Sequence, residues 1–247
     1  MKKLLFLVIF SISLFAGVQE TLYTVYNEAS KYKAKDGHVF NDTMAQICLT
    51  ETSGGFQIIG DSFYKTGREK HLFNKSIGIN QVKLSTAITV LRRFDLGYKN
   101  LLHKDPFAYK KYIPLLARIE YLQNRKNLLI RKLKRKYSKK NYKELKYIER
   151  KMNSLMNEAE KYKEYYLKDE RIVSLLMSDM RFNTMIATNY LIMNYEYAQR
   201  KKMWNPYFKT ISRYNGGWKN TSYFKKVMSK RELWKRYKIK LKQKGKL

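Results

Sequence analysis

Apolar and polar positions along this 247-residue chain recur mostly every three to four residues, the spacing of helices. After a polar lead-in, Met44, Ile47 and Cys48 follow Asn41 and Asp42, either of which can cap a helix that ends near Gly54-Gly55. Glu51 falls on the same stripe. From Phe56 to Val82 the periodicity lapses and glycines stand at 60, 67 and 78, which predicts loops with short extended pieces; a helix is expected from Ser85 through Phe94. Between Tyr112 and Tyr166 two long stripes step by threes and fours, Tyr112, Leu115, Ile119, Leu122, Lys126, Leu129, Leu133 and then Leu145, Ile148, Met152, Leu155, Ala159, Tyr162, Tyr166. The short polar break at residues 137–141 joins them into an expected antiparallel helical hairpin, with Pro114 in the first turn of its first helix. Compact helical signals return from Ile172 to Ala198, ahead of a turn at Tyr214-Asn215-Gly216-Gly217.

Composition sharpens this picture. Only 3 prolines and 11 glycines leave few breakers, so the fold class is mainly α. With 44% hydrophobic and 15% aromatic residues the chain can build a packed core despite 29% charged residues. A single cysteine, Cys48, excludes an internal disulfide framework and a zinc site of several thiolates; on its apolar stripe it reads as a small core residue.

The charge is extreme, 52 Lys and Arg against 20 Asp and Glu, a net +32, and it is uneven. Residues 110–170 hold 19 basic and 8 acidic residues, and residues 219–247 hold 12 basic residues and one acid, Glu232. Such a balance points to a polyanionic partner, nucleic acid first. The N-terminus redirects that inference. Lys2 and Lys3 precede an apolar run, Leu4 to Phe15, that is broken only by Ser11 and Ser13 and is too short to span a bilayer comfortably; Ala16-Gly17 offers a cleavage site. This is the pattern of a signal peptide over residues 1–16, with retention as an anchor the alternative, and export makes nucleic acid an unexpected partner.

Three segments combine glycine with polar or aromatic residues where a plain helix needs neither: Glu51-Thr52-Ser53-Gly54, Gly78-Ile79-Asn80-Gln81 and Tyr214-Asn215-Gly216-Gly217. In this order they resemble the three motifs of the soluble lytic transglycosylases, in which a Glu-Ser pair, a Gly-Leu-Met-Gln-like turn and an Ala-Tyr-Asn turn frame a glycan cleft. Ile59-Gly60-Asp61 before the second motif and Phe182-Asn183 with Tyr190-Leu191 before the third are similar to that family too. The resemblance covers about residues 26–94 and 172–228. Thr52 stands for the usual Ser, Ile79-Asn80 for Leu-Met, and Arg213 for the Ala before Tyr-Asn.

The resemblance implies a lysozyme-like transglycosylase domain with the long antiparallel hairpin inserted into it. The expected organisation is a signal peptide at 1–16, a first domain part at 17–104, the basic hairpin at 105–170, a second domain part at 171–228 and a basic C-terminal tail at 229–247. It also implies the site: Glu51 as catalytic acid, and Thr52, Ser53, Gly78, Ile79, Gln81, Tyr214 and Asn215 as substrate-binding residues.

The residue chemistry accords with that reading. Cleaving a glycosidic bond needs a carboxylic acid still protonated near neutral pH, and desolvation on an apolar helix face and the electronegative C-terminal end of a helix both favour the neutral form. Glu51 occupies such a position. An ordinary glycosidase needs a second carboxylate. Asp61, ten residues on, is the candidate, although its Gly-Asp setting also suits a loop-bracing turn. A lytic transglycosylase needs none, because the N-acetyl group of its own substrate stabilises the cationic centre.

His38, His71 and His103 show no metal-ligand spacing, so no metal or cofactor is expected. The expected function is peptidoglycan cleavage with a 1,6-anhydro product. The alternatives are a lysozyme-type hydrolase using Glu51 and Asp61, or a non-catalytic wall-binding protein. Expected partners are peptidoglycan glycan strands, an anionic wall or membrane surface met by the hairpin and tail, and a protein of a secretion, flagellar or wall-turnover machine. The expected location is the periplasm or cell envelope.

Overall fold

A computed structural model describes residues 17–60, 70–105 and 108–247. The expected signal peptide and Asp61 lie outside the described residues. The architecture is mainly helical, and the chain divides into two compact units. Among the described residues the first comprises 17–60, 75–99 and 172–247, and the second 70–74, 100–105 and 108–171. The second therefore starts before the expected boundary at 105 and takes in a separate short segment. No helix of the described residues is long and apolar enough to cross a membrane.

The first unit is built around helix α2 (Asn41–Thr52), which packs against α1 (Val18–Ser30), α7 (Met180–Arg200), α9 (Thr221–Met228) and α10 (Arg231–Gln243). Contact on so many sides buries every residue from Thr43 to Thr50, and Thr52. A single apolar stripe thus understates the burial of this helix: Thr43, Gln46 and Thr50 are also inside, with the Thr50 hydroxyl donating to the Gln46 carbonyl at 2.8 Å. The helix begins at Phe40, whose carbonyl accepts from Met44 N–H at 2.7 Å; neither Asn41 nor Asp42 caps it. Cys48 is fully buried, and desolvation pushes its thiol up to about 12, so it is a core group and not a reactive one.

Helix α1 occupies what the sequence suggested was a polar lead-in. Leu22, Val25 and Ala29 are completely buried, a spacing of three and four that is visible in the sequence. Next, β1 (Ile59–Gly60), β2 (Ser76–Ile77) and β3 (Val82–Lys83) make a small antiparallel sheet, Ile77 pairing with both Ile59 and Val82, before α3 (Leu84–Arg93). Helix α7 starts at Asp179, whose carboxylate accepts from Arg181 and Phe182 N–H at 2.9 and 3.0 Å.

Residues 229–247, expected as a tail, contain α10 docked on α1 and α2. Trp234 is 2% exposed, lies tilted against Tyr26 at 5.5 Å between ring centroids, and donates its indole N–H to Asp42 at 2.7 Å. Lys238 pairs with the same carboxylate at 2.9 Å. Leu241 is fully buried. The periodicity of Trp234, Tyr237 and Leu241 was masked by the lysines between them.

In the second unit α4 (Ala108–Arg135) and α5 (Lys139–Glu160) lie along each other. Leu122 and Leu129 meet Ile148, Met152 and Leu155, and Arg125 and Lys126 reach across to Glu144 and Glu149 at 2.7 and 3.2 Å. Hydrogen bonds from Lys126 and then Lys146 hold the Glu149 carboxyl below its ordinary range. Pro114 sits two turns inside α4 and not in its first turn, where it removes one helical hydrogen bond. The second stripe breaks after Glu160, and α6 (Lys163–Ser178) follows. Its buried Asp169 accepts from the Tyr112 hydroxyl and lies 3.3 Å from His103 Nε2, giving that buried histidine a polar partner.

Candidate functional site

A cleft of about 680 Å³ opens in the first unit, lined by Glu51 at the end of α2, Gln81 and Lys83 beside the sheet, Tyr190 of α7, and Arg213, Tyr214 and Asn215 at the end of α8 (Pro206–Tyr214). Glu51 is the only acid among the described residues lining it. Its side chain is half-buried, and Oε1 accepts from Tyr223 Oη–H at 2.5 Å and from Asn215 Nδ2–H at 3.4 Å. Burial, and secondarily the Glu51 charge, raise the Tyr223 phenol well above its ordinary value. The phenol therefore remains a neutral donor across the working range of a carboxylate.

Residues of the three sequence motifs have divided roles. Thr52 is 2% exposed and does not line the cleft. Its hydroxyl lies 2.9 Å from the Ile79 carbonyl and 3.0 Å from that of Cys48 and accepts Gly55 N–H at 2.9 Å, so it ties the end of α2 to the second motif. Ser53 is exposed in the left-handed region (φ +53°) and closes the helix away from the cleft lining. Ile79 is buried core. Gln81, Tyr214 and Asn215 do line the cleft with Glu51.

The Gly78-Gln81 turn is held from behind by Asn183 of α7. Its Nδ2 donates to the Ile77 and Leu176 carbonyls at 2.9 and 3.1 Å, and its Oδ1 accepts Asn80 N–H at 3.0 Å. Gly78 sits at φ +77°, and a Cβ there would lie 2.0 Å from Asn183 Nδ2 and 2.2 Å from the Leu176 carbonyl oxygen. The glycine makes room for Asn183, not for substrate. We expect Gly78→Ala to lower stability by about 2–4 kcal/mol, from φ strain plus overpacking, read as a shift in the urea midpoint with an unchanged slope.

Gln81 Nε2 donates to the Gln57 and Gly78 carbonyls, both at 3.1 Å, while a Cβ on Gly60 would come within 1.9 Å of Gln81 Oε1. Tyr214 donates its hydroxyl to the Asn80 carbonyl at 2.7 Å, which leaves the ring as a cleft wall beside Tyr190, 5.9 Å away between centroids. Arg213, which precedes Tyr214, points its guanidinium over Trp218 at 5.6 Å and does not disturb that bond.

Tyr223 was not singled out by the sequence reasoning. Asn220 caps α9 by accepting Tyr223 N–H at 3.1 Å and also donates to the Asn215 carbonyl, so one side chain positions both partners of Glu51. Asn220-Thr221-Ser222 is a recognisable helix start that places Tyr223 in the first turn. That this turn faces Glu51 is a tertiary fact. No group of three or more His, Cys, Asp or Glu among the described residues could hold a metal ion. Comparison with family models, with curated proteins and with solved structures returns no match to this chain.

Proposed function

We propose that this protein is a peptidoglycan lytic transglycosylase built on a lysozyme-like domain into which the basic hairpin is inserted. The observation that carries the reading is one half-buried carboxyl, Glu51, held by a neutral phenol and an amide in a cleft whose other walls are Gln81, Tyr190, Tyr214 and Asn215. At least one residue from each of the three segments that resemble that family lines this cleft: Glu51, Gln81, and Tyr214 with Asn215.

In this reading Glu51 protonates O4 of the N-acetylglucosamine leaving group as the bond to C1 of N-acetylmuramic acid breaks. The substrate's own N-acetyl oxygen takes up the cationic C1. The Glu51 carboxylate then removes the proton of the C6 hydroxyl as O6 bonds to C1 and the bond from C1 to the acetyl oxygen breaks, which regenerates the N-acetyl group, closes the 1,6-anhydro ring and restores the acid. No water enters the products, so no second carboxylate is required. Tyr223 and Asn215 hold the carboxylate formed between the two steps, an electrostatic role.

Purified sacculi digested with the protein and resolved by mass spectrometry test this. Anhydro ends support it, reducing ends favour a hydrolase using Asp61, and undigested but coated sacculi favour a wall-binding protein. Tyr223→Phe keeps the ring and removes the donor to a charged acceptor. We expect a fall of about 10- to 100-fold in kcat with KM little changed. Export, an envelope location and service to a larger wall machine accord with this activity.

A further inference from the structure

At the far end of the α4–α5 pair no side chain from residue 130 to 147 is fully buried, and Leu145, partly buried, packs against the seam cluster. Yet Arg131 to Lys143 contains eight basic residues and no acid. All eight are exposed, and none forms an ion pair among the described residues. Eight like charges on two helix ends and their turn repel one another, which costs stability. Two tyrosines share the apex, Tyr137 at 69% and Tyr142 at 44% exposure, their rings 6.4 Å apart, with Lys146 5.8 Å from the Tyr142 ring.

We propose that this apex docks end-on against an anionic phospholipid surface. Away from the apex the acids Glu144, Glu149, Glu158 and Glu160 interrupt the positive charge, so the unbroken field is a cap and not a stripe along the helices. A cap matches a plane, whereas a nucleic-acid strand or duplex is followed by a groove or an extended face. Six of the eight are lysines, point charges suited to a diffuse headgroup field, and exposed tyrosines favour the membrane–water interface. This inference does not rest on the proposed glycan chemistry.

The full chain is floated with vesicles of phosphatidylcholine alone or containing phosphatidylglycerol; its N-terminal segment, with Lys2 and Lys3, is identical in the parent and the variant, so their difference reports the apex. Binding is expected to require phosphatidylglycerol, to be released by salt, and to fall at least about a hundredfold in K134Q/K136Q/K139Q/K140Q/K143Q. That variant is expected to keep its circular dichroism spectrum. Independently of it, Tyr137→Trp in the fully charged background is expected to shift its emission to the blue on phosphatidylglycerol vesicles. Unchanged vesicle binding by the fivefold variant, or an unshifted Tyr137→Trp emission on vesicles that bind, overturns the proposal. So does apex-dependent binding to duplex DNA or to sacculi with no binding to vesicles.

Discussion

Glu51→Gln is expected to abolish release of 1,6-anhydro muropeptides from sacculi, a loss of about a thousandfold or more, because one carboxyl serves first as acid and then as base. The substitution isolates chemistry from folding. A glutamine oxygen still accepts from Tyr223 and Asn215, and the neighbouring Thr52 still anchors the helix end to Ile79 through its hydroxyl. The melting temperature should therefore stay close to that of the parent protein. Muropeptide chromatography with mass detection, run beside a thermal melt, separates the two effects. Retained wall clearing by Glu51→Gln would sink the catalytic assignment outright.

Trp234→Ala is expected to cost about 3–5 kcal/mol, as a large aromatic lost from a packed site. Three contacts go together: the buried ring volume, the face near Tyr26, and the indole hydrogen bond to Asp42. Asp42 keeps Lys238 as a partner, so the loss comes mainly from the cavity. A urea titration followed by circular dichroism checks the value; an unchanged midpoint would mean that α10 is the loose tail the sequence suggested. The same geometry guides any charge-reversal experiment on the C-terminal lysines. Lys238 must be left intact, since a carboxylate there would face Asp42.

How far the sequence reaches differs between the two halves of the problem. The seam between α4 and α5 was legible because it is local: Leu122, Leu129, Ile148, Met152 and Leu155 repeat at helical spacing, and the turn between them is short. Helix α2 was found but its burial was misjudged. A stripe argument assumes one buried face, and α2 is covered on several sides, so its threonines and Gln46 are interior as well. The tail differs for the opposite reason: the nine basic residues of 229–247 mask a helix whose Trp234 and Leu241 are core.

The site shows the same division. By itself the sequence determined a mainly helical chain, one glycine-and-polar motif around each of Glu51, Gln81 and Tyr214, and the concentration of charge in two regions that contain none of them. Only the tertiary structure decided which motif residues face the cleft. Thr52, Ile79 and Gly78 turned inward because a buried hydroxyl, an apolar side chain and a missing Cβ each serve packing against Asn183 and the end of α2. It likewise brought Tyr223, 172 residues away, to 2.5 Å from Glu51. Spacing along a chain specifies which residues share a helix face, while a hydrogen bond between distant helices depends on how those helices pack.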